Sequence, residues 1–190
     1  YDSSEDRVMS AHELSPAALA EVVDVAQTVL GTVGFGAERA GGSLGDAVED
    51  LFVVERHYSE NALFEGFGVV SMGELVGQPA VKFLIRNTDY SAPKLYELIA
   101  PHIDPELAHL TYSMQEGILE VAAPNVTKRR GVEWLAEHTG VAQQETIAFG
   151  DMPNDIEMLR WAGCGVAMEN AHPEVKAAAD AVTVANHQAC

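Results

Sequence analysis

The sequence places two carboxylates and an amide within five positions of one another. Asp151, Asn154 and Asp155 follow the apolar residues 147–149, with Gly150 between them. Three consecutive apolar residues predict a buried strand, and Gly150 is expected to let the backbone turn after it. The carboxyl end of a strand is the usual place for a ligand crevice in an α/β sheet. Hard oxygen ligands so close together predict a Mg²⁺ site at Asp151 and Asp155, with room left for a phosphate.

A second interpretation of the same residues is purely structural. The apolar spacing of Ile156, Leu159 and Ala162 predicts a helix directly after the acidic segment. Asp151 or Asn154 would then serve as the N-cap of that helix, because a side-chain oxygen can accept a hydrogen bond from its first N–H groups. This short motif by itself leaves both interpretations open.

Two neighbouring segments resemble a known family. Residues 162–171 read AGCGVAMENA, and residues 127–136, about one helix before the acidic segment, read TKRRGVEWLA. Together with GDMPND they resemble the C-terminal half of the haloacid dehalogenase-like (HAD) phosphatases of the Cof-type branch, over residues 118–186. The chain departs from the family pattern by two arginines between Lys128 and Gly131.

The resemblance implies both a fold and a mechanism. The fold would be α/β, with an α+β cap domain followed by the C-terminal half of a HAD-type Rossmann-like core. The family transfers a phosphoryl group to an Asp nucleophile and then hydrolyses the aspartyl phosphate. Such chemistry depends mainly on positioning and on stabilising the charge of the phosphoryl oxygens. The substrate would be a small phosphorylated metabolite.

The resemblance also assigns roles to four residues. Asp151 would bind Mg²⁺ directly, and Asp155 would hold a metal-bound water or orient the loop. Lys128 would be the catalytic lysine that neutralises the phosphoryl oxygens, whereas Asn154 would touch the phosphate or position the lysine. Lys128 could instead be a solvated lysine in the first turn of a helix, and Asn154 a local cap.

The nucleophile of this mechanism is expected to be absent. The family carries it in a D-x-D-x-[TV] motif near its N-terminus, and this chain contains no D-x-D. Residues 69–71, Val-Val-Ser, imitate a second family motif weakly but fall in the predicted cap. Residues 1–8 resemble the segment that enters the cap, so we expect the sequence to begin after the first half of the core.

Residues 1–122 are predicted to form the cap and residues 123–190 the C-terminal part of the core. Ser15 and Pro16 predict the start of a helix that ends at Gly31. We expect further elements as follows: strands at 32–38, 51–55, 79–86, 107–113 and 117–122, a helix opening at 89–93, and loops at 41–43 and 66–77. Polar cap residues are either substrate contacts or, more simply, ordinary surface residues: Glu38, Arg39, Lys82 and Arg86.

Composition excludes several classes of partner. A net charge of −18 would repel nucleic acid and anionic membranes. No apolar run approaches the roughly 18 residues that span a bilayer, and two cysteines form no disulfide framework, which favours the cytoplasm. Lys128, Arg129, Arg130 and a bound Mg²⁺ could reverse the local field for an anionic substrate, although the two arginines could equally be an exposed helix surface.

A core that lacks its first half would be costly to leave open. If residues 147–149 had no neighbouring strand, exposing about 400 Å² of apolar surface would cost about 10 kcal/mol, which is comparable to the stability of a whole domain. We therefore expect the gap to be filled by self-association through the incomplete core sheet, by a retained segment, or by rearrangement. An alternative function is a noncatalytic phosphate-binding, metal-binding or interaction module.

Overall fold

The computed structural model describes residues 5–6, 8 and 10–188. The chain divides into two compact units, Tyr1–Pro124 and Asn125–Cys190. The resemblance to a cap-entry segment rests on residues 1–8, most of which lie outside the described residues, and Cys190 also lies outside them. Within the described residues, no helix combines the length and the apolar character needed to cross a membrane.

Both units combine helices and strands, and the predicted α/β class is confirmed. In the first unit the helices are α1 (Pro16–Leu30), α2 (Val48–Leu51), α3 (Arg56–Glu60), α4 (Met72–Val76) and α5 (Ala92–Ile99), and the strands are β1 (Gly34–Glu38), β2 (Phe52–Val54), β3 (Gly68–Val69), β4 (Lys82–Arg86), β5 (His109–Thr111) and β6 (Ile118–Ala122). In the second unit the helices are α6 (Lys128–Thr139), α7 (Ile156–Trp161) and α8 (Pro173–Ala178), and the strands are β7 (Ile147–Gly150), β8 (Cys164–Ala167) and β9 (Ala181–Val182). Short 3₁₀ helices lie at Ala100–His102, Gln143–Glu145, Pro153–Asp155 and Asn186–Gln188.

The first unit is built on a six-stranded sheet in the order β3-β2-β1-β4-β6-β5. All pairs are antiparallel except β2 with β3. Phe35 of β1 and Phe83 of β4 are fully buried and stack with ring centroids 5.6 Å apart. Helix α1 begins as predicted, since the Ser15 hydroxyl accepts a hydrogen bond from Ala18 N at 3.2 Å, and it ends at Gly31, whose φ is +74°.

Arg86 corrects one expectation for the polar cap residues. It is only 7% exposed, and it donates hydrogen bonds to the carbonyl oxygens of Asn61 and Gly117, so it is not an ordinary surface residue. Strand alternation does not predict this burial, because it determines which face of β4 Arg86 occupies but not what covers that face. Lys82 is partly exposed and lies 3.7 Å from a carboxylate oxygen of Glu38.

The predicted loop at residues 66–77 is also wrong, because it contains β3 and α4. Ser71 is the N-cap of α4 and forms a capping box with Glu74. Ser71 Oγ accepts from Glu74 N at 3.3 Å, and Ser71 N donates to Glu74 Oε2 at 2.9 Å. The sequence Ser-Met-Gly-Glu carries the signature of a capping box, whereas the glycines of this segment favour a loop. Ser71 therefore has a structural role.

The second unit contains a three-stranded parallel sheet in the order β7-β8-β9. A small apolar cluster packs on this unit and is composed of Leu159, Ala167, Ala171 and Val175, with Ala148 of β7 against it. Ile147 and Phe149 point away from that cluster and are 65% and 57% exposed. The strand prediction at 147–149 is confirmed, but its predicted burial is wrong, because no described element covers the opposite face of β7.

An open parallel sheet predicts self-association of this chain. Parallel strands are normally covered on both faces, and an exposed apolar edge strand recruits a partner strand. We expect the 190-residue chain to form dimers or larger species, and Phe149→Lys to shift it toward monomer. Sedimentation velocity over a range of concentrations measures this. Leu44→Lys is the control, since Leu44 is 74% exposed in the first unit. A compact monomer of the unaltered chain at every concentration would contradict the expectation.

Candidate active site

The acidic segment begins where strand β7 ends. Gly150 is the last residue of β7, and Asp151 follows it at the carboxyl end of the parallel sheet. Pro153 then opens a 3₁₀ turn, Pro153–Asp155, which leads directly into α7. The fixed φ of proline suits the first position of such a turn. The predicted order of strand, acidic turn and helix is therefore what the structure contains.

Asp155 is a buried carboxylate that holds the turn together. It is 3% exposed. Its Oδ2 atom accepts hydrogen bonds from Asp151 N at 3.0 Å and from Met152 N at 3.1 Å, and its Oδ1 atom lies 2.5 Å from Lys128 Nζ. Both oxygens are engaged, so the contacts match orientation of the loop, one of the two roles that the resemblance allowed. Asp155 as a metal ligand stays a prediction.

Gly150 is required by the space that Asp155 occupies. A Cβ atom on Gly150 would lie 2.4 Å from Asp155 Cβ and 2.8 Å from Asp155 Cγ. Among the described glycines, those with positive φ are Gly31, Gly66 and Gly140, so Gly150 does not adopt a conformation reserved for glycine. The expectation that Gly150 serves the turn of the backbone is corrected, because the glycine makes room for the carboxylate.

Lys128 reaches the turn from the first position of α6. Thr127 is the N-cap of this helix, and its hydroxyl accepts a hydrogen bond from Arg130 N at 3.3 Å. Lys128 Nζ lies 2.5 Å from Asp155 Oδ1 and 3.5 Å from Asn154 Oδ1, and the lysine side chain is 49% exposed. The structure thus brings three predicted site residues together: Lys128, Asn154 and Asp155. Lys128 is ion-paired, unlike a lysine that is only solvated.

Asp151 lies beside this trio but makes different contacts. Its Oδ2 atom accepts a hydrogen bond from Asn186 Nδ2 at 2.8 Å, and its main-chain oxygen accepts one from His172 N at 2.9 Å. Neither Asp151 nor Asn154 caps α7, whose N-cap position is Asp155 without a side-chain capping bond. The capping interpretation of these two residues is therefore not observed.

The hydrogen bond between Asn186 and Asp151 is not predicted from the sequence. Asn186 lies 35 residues after Asp151 and 16 residues after Asn170, whose Oδ1 atom accepts a hydrogen bond from Asn186 N at 2.9 Å. A pairing over such separations leaves no periodic signal in the chain. The polar pair Asn186 and His187 after the last strand was the only available hint.

The residues at hand fit a Mg²⁺ ion in part. Among the described residues, no group of three or more His, Cys, Asp and Glu side chains is placed to hold a metal ion. Asp151 nevertheless supplies one carboxylate whose Oδ1 atom has no hydrogen-bond partner in the described part of the protein. Mg²⁺ often takes only one or two carboxylates and keeps several waters, so Asp151 suits a direct ligand.

The two arginines after Lys128 are engaged on their own helix. Arg129 and Arg130 lie 3.4 Å and 2.7 Å from carboxylate oxygens of Glu133. The hydrogen bond from Arg130, and with it the nearby positive charge of both arginines, lowers the pKa of Glu133. Glu133 offsets part of their charge, which agrees with an exposed helix surface for Arg129 and Arg130 more than with a substrate contact.

The site contains a lysine paired with a buried aspartate and a second aspartate at the end of a parallel strand. This arrangement suits a hydrolase that binds anionic substrates and a divalent cation. Residues 2–189 match the family model described as haloacid dehalogenase-like hydrolase. The chain belongs to the haloacid dehalogenase-like hydrolase family. The resemblance to the haloacid dehalogenase-like family that the sequence motifs indicate is therefore confirmed.

The chain is similar to several known proteins, of which three are described. It is 28% identical, over 76% of its length, to the 5-amino-6-(5-phospho-D-ribitylamino)uracil phosphatase YitU of Bacillus subtilis, and covers 55% of that protein. The structure of the HAD subclass IIB sugar phosphatase BT4131 matches with a TM-score of 0.68 at 23% identity, over 91% of this chain and 62% of that one. SMU.1108c from Streptococcus mutans UA159 matches with a TM-score of 0.74 at 19% identity, over 90% and 63%. The chain thus spans less than two thirds of the length of each of these three proteins.

Gly150→Ala tests the packing of the acidic turn. The added methyl group would overlap the Asp155 side chain, and relieving such overpacking typically costs about 1–3 kcal/mol. We expect the free energy of unfolding of the second unit, measured by urea denaturation, to fall by that amount. Gly131→Ala is the matched control, since a Cβ there meets nothing within 4 Å and alanine favours a helix by about 0.5–1 kcal/mol. Equal stability of Gly150→Ala and the unaltered protein would refute the close contact.

Proposed function

We propose that this chain is part of a Mg²⁺-dependent phosphatase, a phosphoric monoester hydrolase that acts on a small phosphorylated metabolite in the cytoplasm through an aspartyl-phosphate intermediate whose nucleophile this chain does not carry. The observation that carries the proposal is the placement of Lys128 on Asp155, next to Asp151, at the carboxyl end of β7. Family membership supports the hydrolase class. The net charge of −18 argues against a nucleic-acid substrate.

Lys128 is the residue that binds the transferring phosphoryl group. Its ammonium group carries three donors, and the contact with Asp155 Oδ1 occupies one of them. The side chain is half exposed, so a phosphate oxygen can approach Nζ while the ion pair with Asp155 persists. Asn154 accepts a hydrogen bond from the same nitrogen and keeps the lysine directed at the turn.

Asp151 is the residue that holds the cation. Its Oδ2 atom is bound by Asn186, which leaves Oδ1 for Mg²⁺. When bound, Mg²⁺ neutralises charge on the phosphoryl oxygens and orients them. Asp155 contributes by fixing the main chain of Asp151 through its two hydrogen bonds to Asp151 N and Met152 N.

The reaction itself consists of two phosphoryl transfers. In the first, the P–O bond to the metabolite breaks as an Asp carboxylate forms a new P–O bond, and the leaving alcohol takes up a proton. In the second, water attacks the phosphorus, restores the carboxylate and releases orthophosphate. We expect the nucleophilic Asp to lie outside this chain, because the chain contains no D-x-D. The first unit would serve as the cap that selects the metabolite.

A second candidate function is a noncatalytic module that binds phosphate or a cation. The observation that favours it is the same lack of a D-x-D motif, combined with an intact pair of Lys128 and Asp155. Such a module would keep the binding steps described above without turnover. Binding and turnover must therefore be measured separately.

Binding of inorganic phosphate tests the role of Lys128. We expect isothermal titration calorimetry to detect phosphate binding that requires Mg²⁺, and Lys128→Met to weaken it at least tenfold because the cation facing the phosphate is removed. Lys176→Met is the control, since Lys176 is an exposed lysine of α8 in the same unit. Equal weakening by both substitutions would mean that only net charge matters and would contradict the assignment.

Phosphate release tests the nucleophile. We expect the 190-residue chain to release no phosphate from p-nitrophenyl phosphate in the presence of Mg²⁺, because the attacking carboxylate is missing. Asp151→Ala is the comparison. Release by the unaltered chain that Asp151→Ala abolishes would show that a carboxylate of this chain is the nucleophile, and the assignment of none would then be wrong.

A further inference from the structure

The Asp151 carboxylate accepts a hydrogen bond from Asn186, which is bonded in turn to Asn170 of a separate loop. Asn186 Nδ2 donates to Asp151 Oδ2 at 2.8 Å, and Asn186 N donates to Asn170 Oδ1 at 2.9 Å. Asp151 follows β7, Asn170 follows β8 and Asn186 follows β9. The three strands are parallel, so their carboxyl ends meet at one edge of the sheet and each contributes one residue to this chain of hydrogen bonds.

A primary amide is suited to orienting a carboxylate without neutralising it. The Asn186 amide donates to one oxygen and carries no charge, so it does not offset the charge that Asp151 offers to a cation. A lysine or arginine at the same place would compete with that cation. Because Oδ2 is engaged, the orientation of the carboxylate plane is restricted and Oδ1 is left as the ligand atom.

The position of the Asn186 amide is fixed through its main chain. Asn170 accepts from Asn186 N, and Gln188 N donates to Ala185 O at 2.8 Å within the same short 3₁₀ segment. Asn170 and Asn186 are both exposed. Hydrogen bonds in contact with water contribute little to stability, so a purely structural role does not account well for two amides arranged in series onto one aspartate.

We propose that Asn186 is a positioning residue for Asp151, with Asn170 holding Asn186 in place, and that together they present Asp151 Oδ1 to a divalent cation. This inference rests on the proposed function, in which Asp151 binds the cation. Residues that orient a metal ligand typically change metal affinity by about 10–100-fold when they are removed.

The test is binding of Mn²⁺, a spectroscopic substitute for Mg²⁺, to the full chain, followed by electron paramagnetic resonance of the free ion and by competition with Mg²⁺. We expect Asn186→Ala to weaken Mn²⁺ binding about tenfold, and Asn170→Ala to weaken it less because it acts through Asn186. Asn186→Gln keeps the amide donor and should recover part of the affinity. His187→Ala is the control, as a neighbouring exposed residue of the same 3₁₀ segment.

Thermal unfolding of the same variants separates positioning from structural tethering. We expect the melting temperatures of Asn186→Ala and His187→Ala to agree, while only Asn186→Ala loses affinity. Loss of stability in Asn186→Ala without a change in Mn²⁺ affinity would overturn the proposal and leave a structural tether.

Asp151→Asn distinguishes failure of this inference from failure of the proposed function. If Asp151→Asn abolishes Mn²⁺ binding and Asn186→Ala leaves it unchanged, only the positioning role is overturned. If the unaltered chain binds no Mn²⁺, or if Asp151→Asn binds it normally, the cation site at Asp151 is wrong and the positioning role falls with it.

Discussion

The acidic turn of the second unit is organised around the buried carboxylate of Asp155, which pairs with Lys128. A carboxylate that is 3% exposed must be paired and hydrogen-bonded, since an unpaired buried charge costs several kcal/mol. Lys128 and the main-chain N–H groups of Asp151 and Met152 supply those partners. The pair joins the first turn of α6 to the loop after β7, and it fits only because residue 150 has no side chain. The ion pair with Lys128, the two main-chain hydrogen bonds and the glycine at position 150 thus all accommodate one buried carboxylate.

The two aspartates of the acidic turn differ in which of their oxygens are engaged by the protein. Both carboxylate oxygens of Asp155 have partners within the protein. Asp151 is held through its main chain and by Asn186, and its Oδ1 atom has no protein partner among the described residues. An acidic chain with a net charge of −18 needs local positive charge to accept a phosphate. Glu133 offsets part of the charge of Arg129 and Arg130, and in the proposed function Lys128 and a cation at Asp151 would supply the positive charge at the acidic turn.

Sequence reasoning succeeded where the deciding contacts are local. Ser15 starts its helix as the predicted N-cap, and the apolar run at 147–149 is a strand. It failed where the outcome depends on what lies opposite a residue. The burial of Arg86, the exposure of Phe149 and the contact of Asn186 with Asp151 are all set by segments distant in the chain. Periodicity indicates which face of an element is apolar, but not whether that face is covered.

Substitutions at different residues of the site are expected to affect protein stability to different extents. The buried residues of the apolar cluster of the second unit are Leu159 and Val175 with two alanines. Because this core is small, we expect the ion pair between the buried Asp155 and the half-exposed Lys128 to contribute to the stability of the unit. Loss of Lys128 leaves the carboxylate of Asp155 buried without its cation, so a defect in that variant combines folding with binding. Asp151 and Asn186 lie outside the pair, joined to each other and to loop main chain. Their substitution changes the charge and geometry offered to a ligand while the buried pair remains, so these two residues report on function most directly.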